Sequence, residues 1–483
     1  MHRRPAPHLA AFLLATPMLC TAAPATDDPG LAARIAAVEA GLQPAVAIAG
    51  AAPASRRLAD EMARLGVPGA SIAVIHAGQI EWAKGYGVVT PGGAAVSPST
   101  LFQAGSISKP VTAVAALKLV ENGTLALDTN VNGYLNWWKL PNNVDDTPVT
   151  LRQLLSHTAG TTVHGFAGYA AGAKVPTLVQ LLNGAAPSNS RGVHVSTKPG
   201  TKWRYSGGGY EVVQYVIGER AGKDFAQLVQ DTVLRPLGMH DSTFAQPLPP
   251  ALLARAALPH DAAGKPIAGG PHTYPELAAA GLWTTPSDLA RLAIEVKQSA
   301  AGQSNKVLSQ SMTQLMLSPV QENFGLGWRI EGTGQARSFS HGGANAGYQN
   351  TLVAYTERGD GVAVMTNGDR GGELAGELVR AVATAYNWPT QRATVRAAVA
   401  TPAAALTALP GKYVIEGLGD FTIARAGDRL TVALRAGAPE PLHAAPDGSW
   451  FVTSMEAELR FAATGERGRI TAPGLDTAFE KAK

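Results

Sequence analysis

A serine and a lysine three positions apart, Ser106 and Lys109, are the residues of this sequence that most clearly suggest chemistry. On an α-helix, side chains three apart lie on one face, so the hydroxyl and the amine would be within hydrogen-bonding reach. A serine hydroxyl attacks well only when a neighbouring base takes its proton, and a neutral lysine amine is such a base. Burial and the positive end of the helix dipole both disfavour a charged ammonium. The pair therefore predicts a nucleophile and its base, although a capping serine and an exposed lysine would give the same short pattern.

The residues on either side of this pair predict the helix start that such chemistry needs. Gly105 permits a tight turn before the serine, and Pro110 is tolerated only near the first turn of a helix. The apolar run 111–120 then predicts a helix that stops at Asn122 and Gly123.

Two further motifs stand later in the chain. Tyr205 precedes the glycine-rich stretch 206–209 and a predicted helix, and His341 precedes Gly342 and Gly343 on a predicted strand. Taken alone, the tyrosine is typical of a packing aromatic and the histidine of an ordinary strand residue. In this order after the serine and lysine, they indicate one site.

The elements that must position these residues follow a split pattern. Strand-like runs stand at both ends of the region and helical runs lie between them, which favours an antiparallel sheet flanked by helices, an α+β fold. A hairpin is predicted at Ala77 and Gly78, and a helix start at Thr285 and Pro286. The predicted strands are 69–76, 79–88, 324–330, 338–341, 349–355 and 361–367, and the predicted outer helices are 31–42, 55–65 and 373–388.

The last part of the chain has a different composition. Alanine, threonine and proline dominate a predicted linker at 391–410, after a catalytic domain at 26–390. Short strand-like runs separated by glycine and aspartate turns predict a small all-β, barrel-like module at 411–483. We expect this module to buttress or cover the catalytic domain, with ligand binding as the alternative.

Composition excludes several classes of protein. The chain has 483 residues, is 46% hydrophobic and carries a net charge of +4, so it can bury a large core and shows no basic excess typical of nucleic-acid binding. Residues 1–25 resemble a secretory signal, which predicts export to the periplasm or medium. The single cysteine, Cys20, lies inside that segment. The rest of the sequence predicts no stable membrane insertion, no metal site and no cofactor, and gives no oligomeric state.

These motifs together resemble the serine β-lactamase and D,D-peptidase superfamily, in the class C-like branch that also holds esterases and D-amino-acid peptidases. The resemblance covers roughly residues 55–390 and rests on Ser106 to Lys109, the motif at Tyr205 and the strand motif at His341. Residues 102–105, 154–160 and 281–285 are also similar to that branch. The C-terminal module resembles the lipocalin-like appendages of some members.

The resemblance implies a role for each residue of the site. Ser106 would attack an acyl carbonyl, Lys109 would take its proton, and Tyr205 would pass a proton to the leaving group. The backbone N–H groups of Ser106 and Ala344 would bind the developing oxyanion. Gly342 and Gly343 would let substrate lie along the strand as an extra strand, and His341 would line the pocket for the acyl part.

Two departures from the family pattern bear on the substrate. Gly207 stands where the tyrosine motif commonly has an asparagine, and His341 replaces the lysine of the strand motif, so a fixed cation is absent or depends on pH. Both departures favour esters, amides or small peptides over classical antibiotics. Asp288 and His157 are interpreted as structural residues.

The sequence therefore predicts an exported serine hydrolase that forms an acyl-enzyme on Ser106 and cleaves esters or amides, including D-amino-acid-containing peptides. Its partner would be a small-molecule or peptide substrate. The alternatives are a class C-type β-lactamase or D,D-carboxypeptidase, and a penicillin-binding-like sensor protein without turnover.

Overall fold

The computed structural model describes residues 29–52, 55–415, 419–434, 439–472 and 475–482. The predicted signal segment, 1–25, lies outside these residues. Within them, no helix is both long enough and apolar enough to cross a membrane.

Helices and strands alternate in the order that the split sequence pattern predicts. The α-helices are α1 Pro29–Ala40, α2 Leu58–Leu65, α3 Ser108–Glu121, α4 Leu151–Leu155, α5 Leu178–Asn183, α6 Gly207–Ala221, α7 Phe225–Val229, α8 Pro250–Leu253, α9 Leu277–Ala280, α10 Pro286–Ala300, α11 Gln310–Met316, α12 Gly371–Ala385 and α13 Ala405–Ala408. The strands are β1 Val46–Ile48, β2 Gly69–His76, β3 Gln79–Gly87, β4 Phe102–Gln103, β5 Trp283–Thr284, β6 Arg329–Glu331, β7 Ser338–Asn345, β8 Tyr348–Tyr355, β9 Gly361–Thr366, β10 Thr394–Arg396, β11 Gly411–Ile415, β12 Gly419–Ala426, β13 Arg429–Leu434, β14 Glu440–Ala444, β15 Trp450–Phe451, β16 Glu458–Phe461, β17 Arg467–Ala472 and β18 Leu475–Lys481.

The central sheet has six antiparallel strands in the order β3-β2-β9-β8-β7-β6. This confirms the predicted α+β class with an antiparallel sheet. The predicted strand 324–330 is the exception, because regular pairing is confined to Arg329–Glu331. Phe324 instead turns its ring toward His157 and Trp203.

Helices cover both faces of this sheet. Along β2, Ile72 and Val74 belong to the core shared with α1, α2 and α12, whereas Ala73 and Ile75 belong to the core shared with α3 and α10. This alternation is the period-two pattern of a strand buried on both sides. The helices between β3 and β6 build the second, larger core, and the predicted site residues lie at its edge.

The predicted linker contains a short structured ribbon. β10 pairs in parallel with β1, with Val46 opposite Thr394. From this ribbon, Arg396 donates to Glu458 of the barrel at 2.9 Å, and the Val46 N–H donates to the Thr453 carbonyl at 3.1 Å. The ribbon therefore fixes the C-terminal module against the part of the chain that contains the six-stranded sheet.

The C-terminal module is a closed antiparallel barrel of strands β11 to β18, as the all-β pattern predicts. Aromatic side chains fill its interior: Tyr413 stacks on Phe421 at 5.0 Å between ring centroids, and Phe479 packs edge-on against both. The Tyr413 hydroxyl donates to the Leu409 and Gly465 carbonyls at 2.8 Å each. The barrel core is thus occupied by its own side chains.

Candidate active site

The predicted nucleophile lies on a short turn that leads directly into α3. Residues Gly105–Ile107 form one turn of 3₁₀-helix, and α3 begins at Ser108. Gly105 has a φ of 54°, a left-handed conformation that favours glycine. The Lys109 Nζ is 2.9 Å from the Ser106 Oγ. The structure thus brings together the two groups that the sequence spacing predicts to meet.

Lys109 is almost completely buried, with 2% of its surface exposed. Its Nζ also donates to the Ala279 carbonyl at 2.9 Å, and the Tyr205 and Tyr210 rings lie 5.0 and 5.7 Å from it. Two hydrogen bonds and two ring faces therefore fix the amine beside the serine hydroxyl.

Two buried carboxyl groups lie behind the lysine. Glu211 on α6 accepts the Ala279 N–H at 3.0 Å, and burial together with nearby Glu276 raises its pKa well above the usual range. Burial raises the pKa of Glu276 to about 8. Both shifts favour the protonated carboxyl group, which has no negative charge to pair with Lys109.

Tyr205 comes just before α6, and its ring lies 5.0 Å from the Lys109 Nζ. Ser206 caps α6 by accepting the Gly209 N–H at 3.0 Å, and its hydroxyl donates to the Thr162 carbonyl at 2.7 Å. A Cβ on Gly207 would lie 3.0 Å from the Phe166 ring. The space beside position 207 is therefore taken by that ring, where the family pattern places an asparagine side chain.

Strand β7 presents an open edge to the site. β6 pairs with β7 at residues 338–340, and 341–345 continue beyond that pairing. A Cβ on Gly105 would lie 2.5 Å from the Ala344 N, and one on Gly343 would overlap the Ala104 carbonyl. Glycine at both positions lets the strand approach the nucleophile turn closely, which brings the Ala344 N–H next to Ser106.

The imidazole of His341 is buried, with 7% of its surface exposed. Burial and the positive charge of Lys109 lower its pKa to about 3. Its Nδ1 lies 2.6 Å from the Gly342 carbonyl and donates to it when the ring is neutral. The sequence left open whether His341 becomes positively charged at some pH. With this pKa, the side chain is neutral across the physiological range.

A cleft of about 1280 Å³ contains Ser106, Tyr205 and the β7 edge. Its lining includes charged groups that the sequence did not predict. Arg204 and Arg329 are basic, Glu322 and Asp476 are acidic, and Asp476 comes with Leu475 from the barrel hairpin. The cleft therefore carries charges of both signs, although not at position 341.

Sequence reasoning also missed the residues that hold the nucleophile turn in place. Ser108 donates to the Gly105 carbonyl at 2.6 Å and accepts the Leu282 N–H at 3.0 Å. The Asn345 side chain donates to Gln103 at 2.8 Å, which ties β7 to β4. The bonds from Leu282 to Ser108 and from Asn345 to Gln103 join distant parts of the chain, so no local spacing signals them.

Comparison with known proteins identifies relatives over most of the chain. The sequence profile of the family described as Beta-lactamase matches residues 54–387. Penicillin-binding protein 4 of Amycolatopsis lactamdurans is 28% identical over 65% of this chain and 86% of its own length. Protein flp of Staphylococcus aureus strain MW2 is 28% identical over 46% of this chain, and the match spans 42% of flp.

Solved structures share the fold. The octameric penicillin-binding protein homologue from Pyrococcus abyssi has a TM-score of 0.58 and 22% identity, covering 88% of this chain and 98% of its own. The D-amino acid amidase from Ochrobactrum anthropi has a TM-score of 0.53 and 21% identity, covering 68% and 96%. The hydrolase EstCE1, described as having promiscuous acyltransferase activity, has a TM-score of 0.57 and 19% identity, covering 74% and 98%.

Proposed function

The chain belongs to the Beta-lactamase family and is a serine hydrolase, and from this premise we propose that it cleaves esters or amides through an acyl-enzyme on Ser106. The observation that carries the proposal is the 2.9 Å contact between the Lys109 Nζ and the Ser106 Oγ in a nearly closed environment. A lysine held in this way serves as the base that a serine nucleophile requires.

Acylation would proceed along that contact. In the form of the enzyme whose Lys109 amine is unprotonated, the Ser106 hydroxyl gives its proton to that amine as its Oγ forms a bond to the substrate carbonyl carbon. The carbonyl electron pair moves onto oxygen, where the N–H groups of Ser106 and Ala344 stabilise the negative charge. The glycine contacts of Gly105 and Gly343 support this role, because they bring the two segments together.

Tyr205 would supply the proton with which the leaving group departs. As the tetrahedral intermediate collapses, the bond to the alcohol or amine breaks, and the Tyr205 hydroxyl protonates the departing atom. The proton held by Lys109 restores the tyrosine. In the second half, water attacks the Ser106 ester and gives its proton to Lys109, which returns the proton to the Ser106 Oγ as the free acid leaves.

Substrate would lie along the open edge of β7. Residues 341–345 extend beyond the pairing with β6, so a peptide-like acyl chain can bond to this edge as an added strand. The neutral imidazole of His341 suits an uncharged acyl part, and Arg204 and Arg329 offer positive charge elsewhere in the cleft. We propose esters, amides and small or D-amino-acid-containing peptides as the substrate class.

Intact-mass spectrometry after exposure to a fluorophosphonate tests the nucleophile without assuming a substrate. We expect one adduct on the wild-type protein and none on Ser106→Ala, and turnover of p-nitrophenyl butyrate that the same substitution abolishes. An adduct that persists in Ser106→Ala would place the nucleophile elsewhere. No adduct and no turnover on esters or peptides would favour a binding protein on this fold.

Substrate preference and the rate of deacylation distinguish the alternative functions. A class C-type β-lactamase would turn over nitrocefin faster than esters, and a D,D-carboxypeptidase would release D-alanine from a D-alanyl-D-alanine peptide. A penicillin-binding-like sensor would keep a penicillin adduct for hours without turnover. Because Gly207 and His341 depart from the family pattern, we expect the ester or amide to be the better substrate.

We also propose export, from the basic, apolar and small-residue order of residues 1–25. Expression of the full chain in a bacterial host, followed by intact mass of the periplasmic protein, tests this. A protein that begins at Thr26 would support it, whereas an uncleaved chain retained in the cytoplasm would contradict it.

A further inference from the structure

His157 occupies an unusual position one residue beyond the capping residue of α4. Its φ is 60°, a left-handed conformation that is uncommon for a residue with a side chain. Its side chain is 2% exposed, and the sequence motif gave it no role beyond structure. A buried, left-handed, non-glycine residue beside a candidate site is a reason to examine its contacts.

The hydrogen bonds of His157 hold the residues on either side of Tyr205. The Arg204 N–H donates to the His157 carbonyl at 2.8 Å, and the Ser206 N–H donates to the His157 Nδ1 at 3.1 Å. The backbone amides immediately before and after the tyrosine are therefore both held by one residue, 48 positions earlier in sequence from the tyrosine itself. Such a pair of bonds fixes the position and the direction of the segment between them.

The imidazole also packs directly against the tyrosine ring. The two ring centroids are 4.3 Å apart with a 36° angle between their planes. Phe324 and Tyr210 pack on the imidazole at 4.9 and 5.3 Å. The Tyr210 hydroxyl in turn donates to the Leu155 carbonyl at 2.9 Å, which anchors this group of rings to α4. The ring of Tyr205 therefore rests on an imidazole that is itself held in place.

The bond from Ser206 requires a neutral imidazole. An Nδ1 that accepts a hydrogen bond carries no proton, so the ring proton is on Nε2. Burial, followed by the positive charge of Lys109, lowers the pKa of His157 well below its ordinary value. The acceptor is therefore retained throughout the range in which the enzyme would work.

We propose that His157 is the positioning residue for Tyr205: it holds the tyrosine ring in the place beside Lys109 from which the hydroxyl would protonate the leaving group. This rests on the proposed function, in which Tyr205 protonates the leaving group. His157 itself touches no reacting atom in this assignment. Its effect is transmitted through the two amide bonds and the ring contact.

Two substitutions separate this role from general packing. Asparagine at 157 can place its Oδ1 where the histidine has Nδ1, and it tolerates a positive φ better than most residues. Leucine has a comparable bulk but no acceptor. His157→Asn thus keeps the bond to the Ser206 N–H, and His157→Leu removes it and leaves that buried donor unsatisfied.

The readout is the dependence of rate on the leaving group. The p-nitrophenolate leaving group of a p-nitrophenyl ester departs without a proton. The amine leaving group of the p-nitroanilide with the same acyl group needs a proton to depart. We expect Tyr205→Phe and His157→Leu each to lower kcat on the anilide at least 30-fold and on the ester less than fivefold, with KM changed less than threefold. His157→Asn should retain at least a third of wild-type kcat on both.

A double mutant completes the test. If His157 acts through Tyr205, adding His157→Leu to Tyr205→Phe should change kcat on the anilide less than twofold. The proposal would be overturned if the losses of kcat in the two single variants multiply in the double mutant. Equal losses of kcat for His157→Asn and His157→Leu, or for His157→Leu on the ester and the anilide, would also overturn it.

These outcomes are distinct from failure of the proposed function. Activity that survives in Ser106→Ala refutes the nucleophile, yet the comparison between His157 and Tyr205 variants still stands. If the wild-type protein turns over neither substrate, crystal structures decide: we expect the Tyr205 ring to shift by more than 1 Å in His157→Leu and to stay in place in His157→Asn. An unmoved ring in His157→Leu would overturn the proposal.

Discussion

The interior of the barrel and the interior behind the cleft use burial in opposite ways. The barrel interior is built from aromatic rings such as Tyr413, Phe421 and Phe479, with the Tyr413 hydroxyl bonded to two carbonyls. The interior behind the cleft instead contains two buried ionisable groups, Lys109 and Glu211. Burying an ionisable group costs free energy, whereas burying a ring gains it. The difference teaches that one core is built for stability and the other gives up stability to control where protons reside.

The largest expected effect tests that contrast at Lys109. We expect Lys109→Met to lower kcat/KM for an ester by at least about a thousandfold, because the base is lost. The melting temperature should stay the same or rise, because methionine fills the space of a buried amine without its desolvation cost. Turnover and thermal unfolding of the same preparation measure both. A large fall in melting temperature would contradict the contrast.

In the barrel, we expect a core substitution to lower stability and to leave activity unchanged. Phe421→Ala should lower the free energy of unfolding by about 3–5 kcal/mol, because it leaves a cavity among packed rings. The kcat of the folded protein should change less than twofold. Val414→Ala, on the neighbouring strand and 41% exposed, is the matched control and should change stability by less than about 0.5 kcal/mol. A fall in kcat for Phe421→Ala would instead give the barrel core a part in the chemistry.

Glu276 provides a test by pH. Its pKa of about 8 lies above the ordinary carboxyl value of 4.5, so the folded protein keeps a proton that the unfolded chain releases. Its contribution is fully present below the unfolded pKa and is lost as pH rises through the folded pKa, at most about 4 kcal/mol between pH 5 and 8.

Glu276→Gln should remove that loss, so that the variant gains stability relative to wild type as pH rises from 5 to 8. Denaturant unfolding at several pH values measures the difference. Glu466→Gln, at an exposed position of the barrel, should run parallel to wild type. A Glu276→Gln curve that also ran parallel would show that this carboxyl is ionised at neutral pH.

The smallest effect is expected at His341. Its pKa of about 3 means that the imidazole stays neutral from pH 5 to 8. The profile of kcat/KM against pH should therefore have the same shape in wild type and His341→Gln, with absolute values within about fivefold. A step between pH 6 and 7 that disappears in the variant would show a charged histidine in the cleft.

The sequence predicted the parts of this architecture that depend on local spacing. The Ser106–Lys109 contact follows from helical geometry, and β2 and β3 follow from two strand-like runs joined by the hairpin signal at Ala77 and Gly78. What it missed depends on distant contacts or weak patterns. The bond between His157 and Ser206 joins separate segments, and Arg467 and Arg469 on the exposed face of β17 weaken its strand-like sequence pattern. Residues 475 and 476 reach the cleft only through the placement of the whole barrel.

The pairing of β2 with β9 has a consequence for how the protein is made. Ala70 and Thr366 are partners in the middle of the sheet, so the first hairpin of the chain must wait for a strand synthesised much later. During that time the inner edge of β2 has no partner. Pairing over such a separation closes slowly and exposes an apolar strand while it waits. Production of this protein should therefore respond to growth temperature and to chaperone supply more than its final stability would suggest.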